Sequence, residues 1–194
     1  MSWPSAGPAS GRPGRGDCND KDVVRAAIRP LLILTLAAVA GCSPATPDRA
    51  PGSEAPGPSP SPPTGVALQV IDLTNVERTR AGLTAFRMNT RLSEAARIQA
   101  EQMVAAGRFA HVLPDARYPR LADRLDAAGY DWQATGENLA FGQQSAAAVV
   151  DTWMRSPPHR ANILHTTFTE IGVAHLVDRN GLPFYVQVFG LPAP

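Results

Sequence analysis

The chain has 194 residues, 44% of them apolar, and a formal net charge of +1, which suits one globular domain with appendages. From Val66 onward twelve arginines are matched by twelve carboxylates with no concentrated basic stripe, so nucleic acid is not an expected partner. The only cysteines are Cys18 and Cys42. Everything after residue 42 therefore lacks both thiol and disulfide and must stand on its core.

Residues 1–22 are Gly/Pro-rich and fit no targeting pattern, so they read as an unexplained extension, with Val23 or Val24 as alternative starts. Residues 23–41 read as a signal peptide. Arg25 and Arg29 supply a basic region, and the apolar run from Leu31 to Ala40 is far short of the roughly 20 residues a spanning helix needs. Val39-Ala40-Gly41-Cys42 resembles the lipobox of bacterial lipoproteins, and that resemblance implies acylation of Cys42, for instance by palmitate, and cleavage before it. Residues 43–64 offer Pro, Ser and Gly but no large apolar side chain, so burial cannot offset their ordering entropy. As polyproline II they form a semi-rigid spacer of about 3.1 Å per residue. The expectation is a domain at 65–194 tethered to a membrane through Cys42, outside the cytoplasm in a bacterial cell envelope.

Within the domain, Val66, Val70, Ile71, Leu73 and Val76 recur at helical spacing, with Gly82 as a stop signal. Ser93 precedes a second helical pattern carried by Leu92, Ala96, Ala100 and Met103 and closed by Gly107. Leu121, Leu125 and Ala128 mark a short third helix over 118–128. Ser145 caps a fourth through Trp153 and Met154, which Pro157-Pro158 should end. Two strand-like runs at 170–177 and 183–190 flank Asp178-Arg179-Asn180-Gly181, a hairpin signal, and 138–142 offers a further strand. Helices first and a hairpin last make an α+β pattern, without internal repeats.

Three separated stretches carry the chemistry: Phe109-Ala110-His111, Gly136-Glu137-Asn138, and the run from Trp153 through Ser156-Pro157-Pro158-His159-Arg160-Ala161-Asn162 to Leu164. With Asn75-x-x-Arg78 and Gly82-Leu83, this set resembles the CAP superfamily of cysteine-rich secretory, antigen 5 and pathogenesis-related proteins, in a compact bacterial form, over Val66 to Gly190. The resemblance implies a three-layer α-β-α sandwich with a groove, and it maps His111, Glu137 and His159 onto three of the four groove residues. The fourth is a glutamate in many eukaryotic relatives. Here that position, three after Trp153, is Ser156, so chemistry needing paired carboxylates loses a partner.

Two histidines and a glutamate suit an open metal site for zinc or another divalent ion, or a pair that polarises water. Glu137 has an equally weighted structural alternative, accepting backbone donors to fix a loop. Asn75 and Asn138 read as structural, Arg160 and Asn162 as ties for the turn after the prolines, and His165 and His175 as surface residues. No Gly-x-Ser-x-Gly elbow or His-Glu-x-x-His helix occurs, and the two prolines between Ser156 and His159 disfavour a serine nucleophile. Two functions stay open: a monomeric binding module for a lipid, peptide or glycan, and a metal-dependent hydrolase.

Overall fold

The computed structural model describes residues 65–194. The expected signal peptide, Cys42 and the linker lie outside the described residues.

Nine elements follow in order: α1 (Gly65–Arg80), β1 (Arg87–Met88), α2 (Thr90–Ala106), α3 (Leu121–Ala127), β2 (Trp132–Phe141), α4 (Ala146–Arg155), α5 (Pro157–Ile163), β3 (Glu170–Val177) and β4 (Pro183–Pro192). The strands form one sheet in the order β1-β3-β4-β2, parallel between β1 and β3 and antiparallel elsewhere. One face buries Val70, Val149, Trp153, Ile163, Ile171 and Phe189 under α1, α4 and α5. The opposite face buries Leu92, Met103, Leu125, Leu139 and Val188 under α2 and α3. The result is a three-layer α-β-α sandwich, the α+β architecture expected.

Local signals account for most boundaries. Asn89, not Ser93, starts α2: its Oδ1 accepts from Arg91 N at 2.9 Å, and Ser93 falls inside the first turn with its hydroxyl donating back to the Asn89 carbonyl. Gly107 ends the helix at φ 60, a left-handed cap that favours glycine. The third helix is shorter than its apolar spacing suggested, starting after Pro119 with Asp123 accepting from Arg120 N at 2.9 Å.

The prolines do something the sequence reading missed. They end α4, but Pro157 is also the first residue of α5, where a missing donor costs nothing. His159 therefore sits within α5.

Two contacts position the site. Gly172 lets α2 lie directly on β3, since a Cβ there would come within 2.1 Å of Ser93 N. At the sheet edge, Trp153 Nε1 donates to Leu139 O at 3.1 Å and Asn162 Nδ2 to Glu137 O at 3.3 Å, so side chains from α4 and α5 occupy carbonyls of an otherwise open strand. Among the described residues no helix is long and apolar enough to cross a membrane.

Candidate functional site

Strand alternation sends Glu137 and Asn138 of β2 to opposite faces. On the α2/α3 side, Glu137 is 4% exposed and Arg124 wholly buried, with Arg124 Nη2 donating to Glu137 Oε2 at 2.6 Å. The other carboxylate oxygen meets His111 Nδ1 at 2.8 Å. The His111 ring retains 26% exposure and is the part of this cluster that reaches solvent.

The segment bearing His111 has no regular structure and is pinned by side chains. Gln99 Nε2 donates to Ala110 O at 2.6 Å, Arg124 Nη1 reaches His111 O at 3.4 Å, and Gln102 exchanges two hydrogen bonds with the Tyr118 backbone. Fixing both ring and backbone in this way preorganises the imidazole.

On the other face Asn138 joins three elements. Its Nδ2 donates to His159 O at 3.1 Å and to Gln187 Oε1 at 3.0 Å, while its Oδ1 accepts from Asn162 Nδ2 at 2.9 Å. Gln187 Nε2 continues to Thr74 Oγ1 at 2.8 Å. A buried polar chain thus runs from α1 through the sheet to α5, and His159 is tied by its backbone to the neighbour of Glu137.

His111 and Glu137, far apart in sequence, are therefore brought into direct contact. The three expected ligands do not gather as a metal-binding set: among the described residues no group of three or more His, Cys, Asp or Glu could hold a metal ion. Glu137 has one carboxylate oxygen on Arg124 Nη2 and the other on His111 Nδ1, so it supports the imidazole from behind instead of standing as a third ligand.

Other expectations need adjustment. Asn162 reaches across to β2 instead of tying the turn after the prolines, and Arg160 is exposed. His165 and His175 are half-buried rather than on the surface. His165 stacks on Phe168 at 4.5 Å and accepts from Thr167 N; His175 lies 4.8 Å from Tyr185, where burial holds its imidazole below the usual range. Asn75 is structural, as expected, clasping both polar groups of the Phe86 backbone. Arg78, buried over the Phe86 ring, donates to the carbonyls of Ile163 and His165 and so caps α5.

Arg124 is the functional residue that sequence reasoning missed. It falls on the inward stripe with Leu121, Leu125 and Ala128, and a charge on that stripe was the available signal.

A family model, the cysteine-rich secretory protein family (CAP), matches residues 71–189. The chain is 36% identical to YkwD of Bacillus subtilis (strain 168) over 118 residues, 61% of this chain and 45% of that protein. It is 36% identical to the membrane protein YlbC of the same organism over 121 residues, 62% of this chain and 33% of YlbC. The match thus spans less than half of either curated relative. Among solved structures, an extracellular protein containing a SCP domain from Bacillus anthracis str. Ames superposes with a TM-score of 0.59 at 30% identity, over 65% of this chain and 40% of that one. An outer surface protein from Borrelia burgdorferi gives a TM-score of 0.57 at 21% identity, over 64% of this chain and 90% of that one, a likeness of fold.

Proposed function

The chain belongs to the cysteine-rich secretory protein family, CAP, and from that premise we propose that it is an exported envelope protein, tethered through an acylated Cys42, whose domain is a ligand-binding module centred on His111, Glu137 and His159. The extracellular setting of the B. anthracis relative and the membrane setting of YlbC support the location. The lipobox-like Val39-Ala40-Gly41-Cys42 and the proline-rich spacer support the tether.

One observation carries the binding reading: Glu137 has both oxygens engaged, one by buried Arg124 and one by the partly exposed His111. That carboxylate holds an imidazole in place for a ligand's polar group instead of serving as a metal ligand or a general base awaiting a proton. A metal-dependent hydrolase would need the carboxylate that Arg124 already holds, and it would need a stabiliser for the charge developing in the transition state. The ligand classes proposed for this site are a lipid, a peptide and an envelope glycan.

The test is to purify the protein from the membrane fraction and identify co-purifying molecules by mass spectrometry, in the wild type and in His111→Ala. A ligand retained by the wild type and lost from the variant is the expected result. Equal recovery from both would remove the site, and chelator-sensitive turnover of a peptide or glycan library would replace the module with an enzyme. The same spectra read the tether through the mass of the N-terminal Cys42 peptide.

A further inference from the structure

The hairpin of β3 and β4 turns at Asp178-Arg179-Asn180-Gly181, and Asn180 is the only asparagine of the chain that a glycine follows. Asn75, Asn89, Asn138 and Asn162 precede Val, Thr, Leu and Ile, and Asn19 precedes Asp. The difference matters chemically. The side-chain carbonyl carbon of an asparagine lies one ring closure away from the next backbone nitrogen, which a bulky neighbour shields and a glycine leaves open. Asn180 and Gly181 are both exposed. Gly181 has φ 80, with nothing within 4 Å of where a Cβ would stand, so solvent water reaches the pair.

The folded turn ties up the reacting atoms, and it does so through one residue. Gly181 N–H donates to Asp178 O at 3.0 Å, closing the turn. Asn180 Nδ2 donates to Asp178 Oδ2 at 3.2 Å, while Asp178 Oδ1 accepts from Asn180 N and Leu182 N at 2.8 Å each. The nitrogen that would attack thus keeps its proton on a carbonyl, and the amide that would leave is held by a carboxylate. The backbone hydrogen bonds, first the one from Leu182, hold the Asp178 carboxyl below its usual range, so it is ionised at neutral pH. An attacking nitrogen becomes anionic as it gives up its proton, and a neighbouring negative charge opposes that step.

We propose that Asn180-Gly181 is a site of spontaneous backbone modification and that Asp178 guards it. When the hairpin end opens, the Gly181 nitrogen loses its proton and bonds to Asn180 Cγ. The Cγ–Nδ2 bond breaks, and the side-chain nitrogen leaves as ammonia with that proton. Solvent water then opens the succinimide ring, giving its hydroxyl to the carbonyl carbon and its hydrogen to the nitrogen. Opening at Cγ leaves aspartate. Opening at the backbone carbonyl of residue 180 leaves isoaspartate, with the main chain routed through Cβ and Cγ and one carbon longer. Either product adds a carboxylate beside Asp178, and isoaspartate also stretches the turn that follows the Val177↔Pro183 pair. The reaction is independent of the groove and of the tether, and its rate follows the population of the opened turn.

The test is to age the whole purified protein at mildly alkaline pH, native and in guanidinium chloride, and to follow position 180 in the peptide released by cleavage after Glu170. Mass spectrometry measures the deamidated fraction, and methylation by protein isoaspartyl methyltransferase measures the isoaspartate within it. Conversion should appear at Asn180 before any other asparagine, several-fold faster in denaturant than in the native protein. Folded Asp178→Ala should approach the denatured rate. Asp178→Asn, which keeps an acceptor but loses the charge, should fall between. If Asp178→Ala lowers the thermal midpoint, folded Asp178→Asn decides the same point, and the comparison of native with denatured wild type needs no substitution. No conversion at 180 in denaturant, or earlier conversion at another asparagine, overturns the site. A native rate equal to the denatured one, or left unchanged by removing the Asp178 carboxylate, overturns the guard.

Discussion

Arg124 of α3 and Glu137 of β2 form an ion pair of 2.6 Å with side chains 0% and 4% exposed, and His111 rests on the other oxygen of the same carboxylate. A buried carboxylate is costly unless paired, so Arg124 permits Glu137 to sit where it can hold His111.

Breaking this pair from one side should be far worse than replacing it. Arg124→Met leaves a buried carboxylate without its cation and should cost about 3–5 kcal/mol. Adding Glu137→Leu to that variant should recover part of the loss. Urea unfolding of the two single variants and the double variant gives the coupling, and a double variant less stable than Arg124→Met would contradict the assignment.

A zinc site that uses Glu137 as a ligand is not expected beside Arg124. In calorimetric titrations at neutral pH, the wild type and His111→Ala should give the same small heats, because Arg124 competes for the carboxylate a metal would need. Chelator and reductant should both leave the thermal midpoint unchanged, the latter because no cysteine follows Cys42. Saturable binding abolished by His111→Ala would reinstate the metal site.

Acid should destabilise the domain in two identifiable steps. Burial alone would push the Glu170 carboxyl up, but hydrogen bonds from Arg87, Tyr130 and Asn89 outweigh it and hold the group below its ordinary value. A carboxyl lowered by folding stabilises fully above its unfolded value of about 4.3, and that contribution is lost as pH falls through the folded value. Burial likewise lowers His175 from 6.5, so its contribution declines as pH falls below that figure toward the folded value. Thermal midpoints across pH should show Glu170→Gln less stable at neutral pH with a flatter acid limb, and His175→Asn flatter just below 6.5. Unchanged slopes would show that other groups govern acid unfolding.

Gly172→Ala should be disproportionately harmful for one added methyl. The new Cβ would meet backbone atoms of Leu92 and Ser93 at 2.2 and 2.1 Å, so α2 must lift from β3, and overpacking of this kind typically costs about 1–3 kcal/mol or more. Gly65→Ala, with nothing within 4 Å, is the matched control and should change little. Similar midpoints for the two variants would mean that α2 can shift freely.

The helical stripes, the Ser145 cap, the Gly107 stop and the hairpin were legible in the sequence because each is written in neighbouring residues whose spacing or backbone preference is local. The groove motifs were legible too, as short ordered strings. The second role of Pro157 was not: a proline that stops one helix reads the same whether or not another begins at it, and what α5 then packs against is decided elsewhere in the chain. Nor could sequence show that Arg124 rather than a metal would balance Glu137, or that Asn162 would cross to the edge of β2. Those outcomes depend on which faces of separate elements meet when the three layers close. Composition and local pattern determined the elements and their order; long-range burial decided which polar groups had to find one another, because only inside the closed sandwich does leaving them unpaired carry a cost.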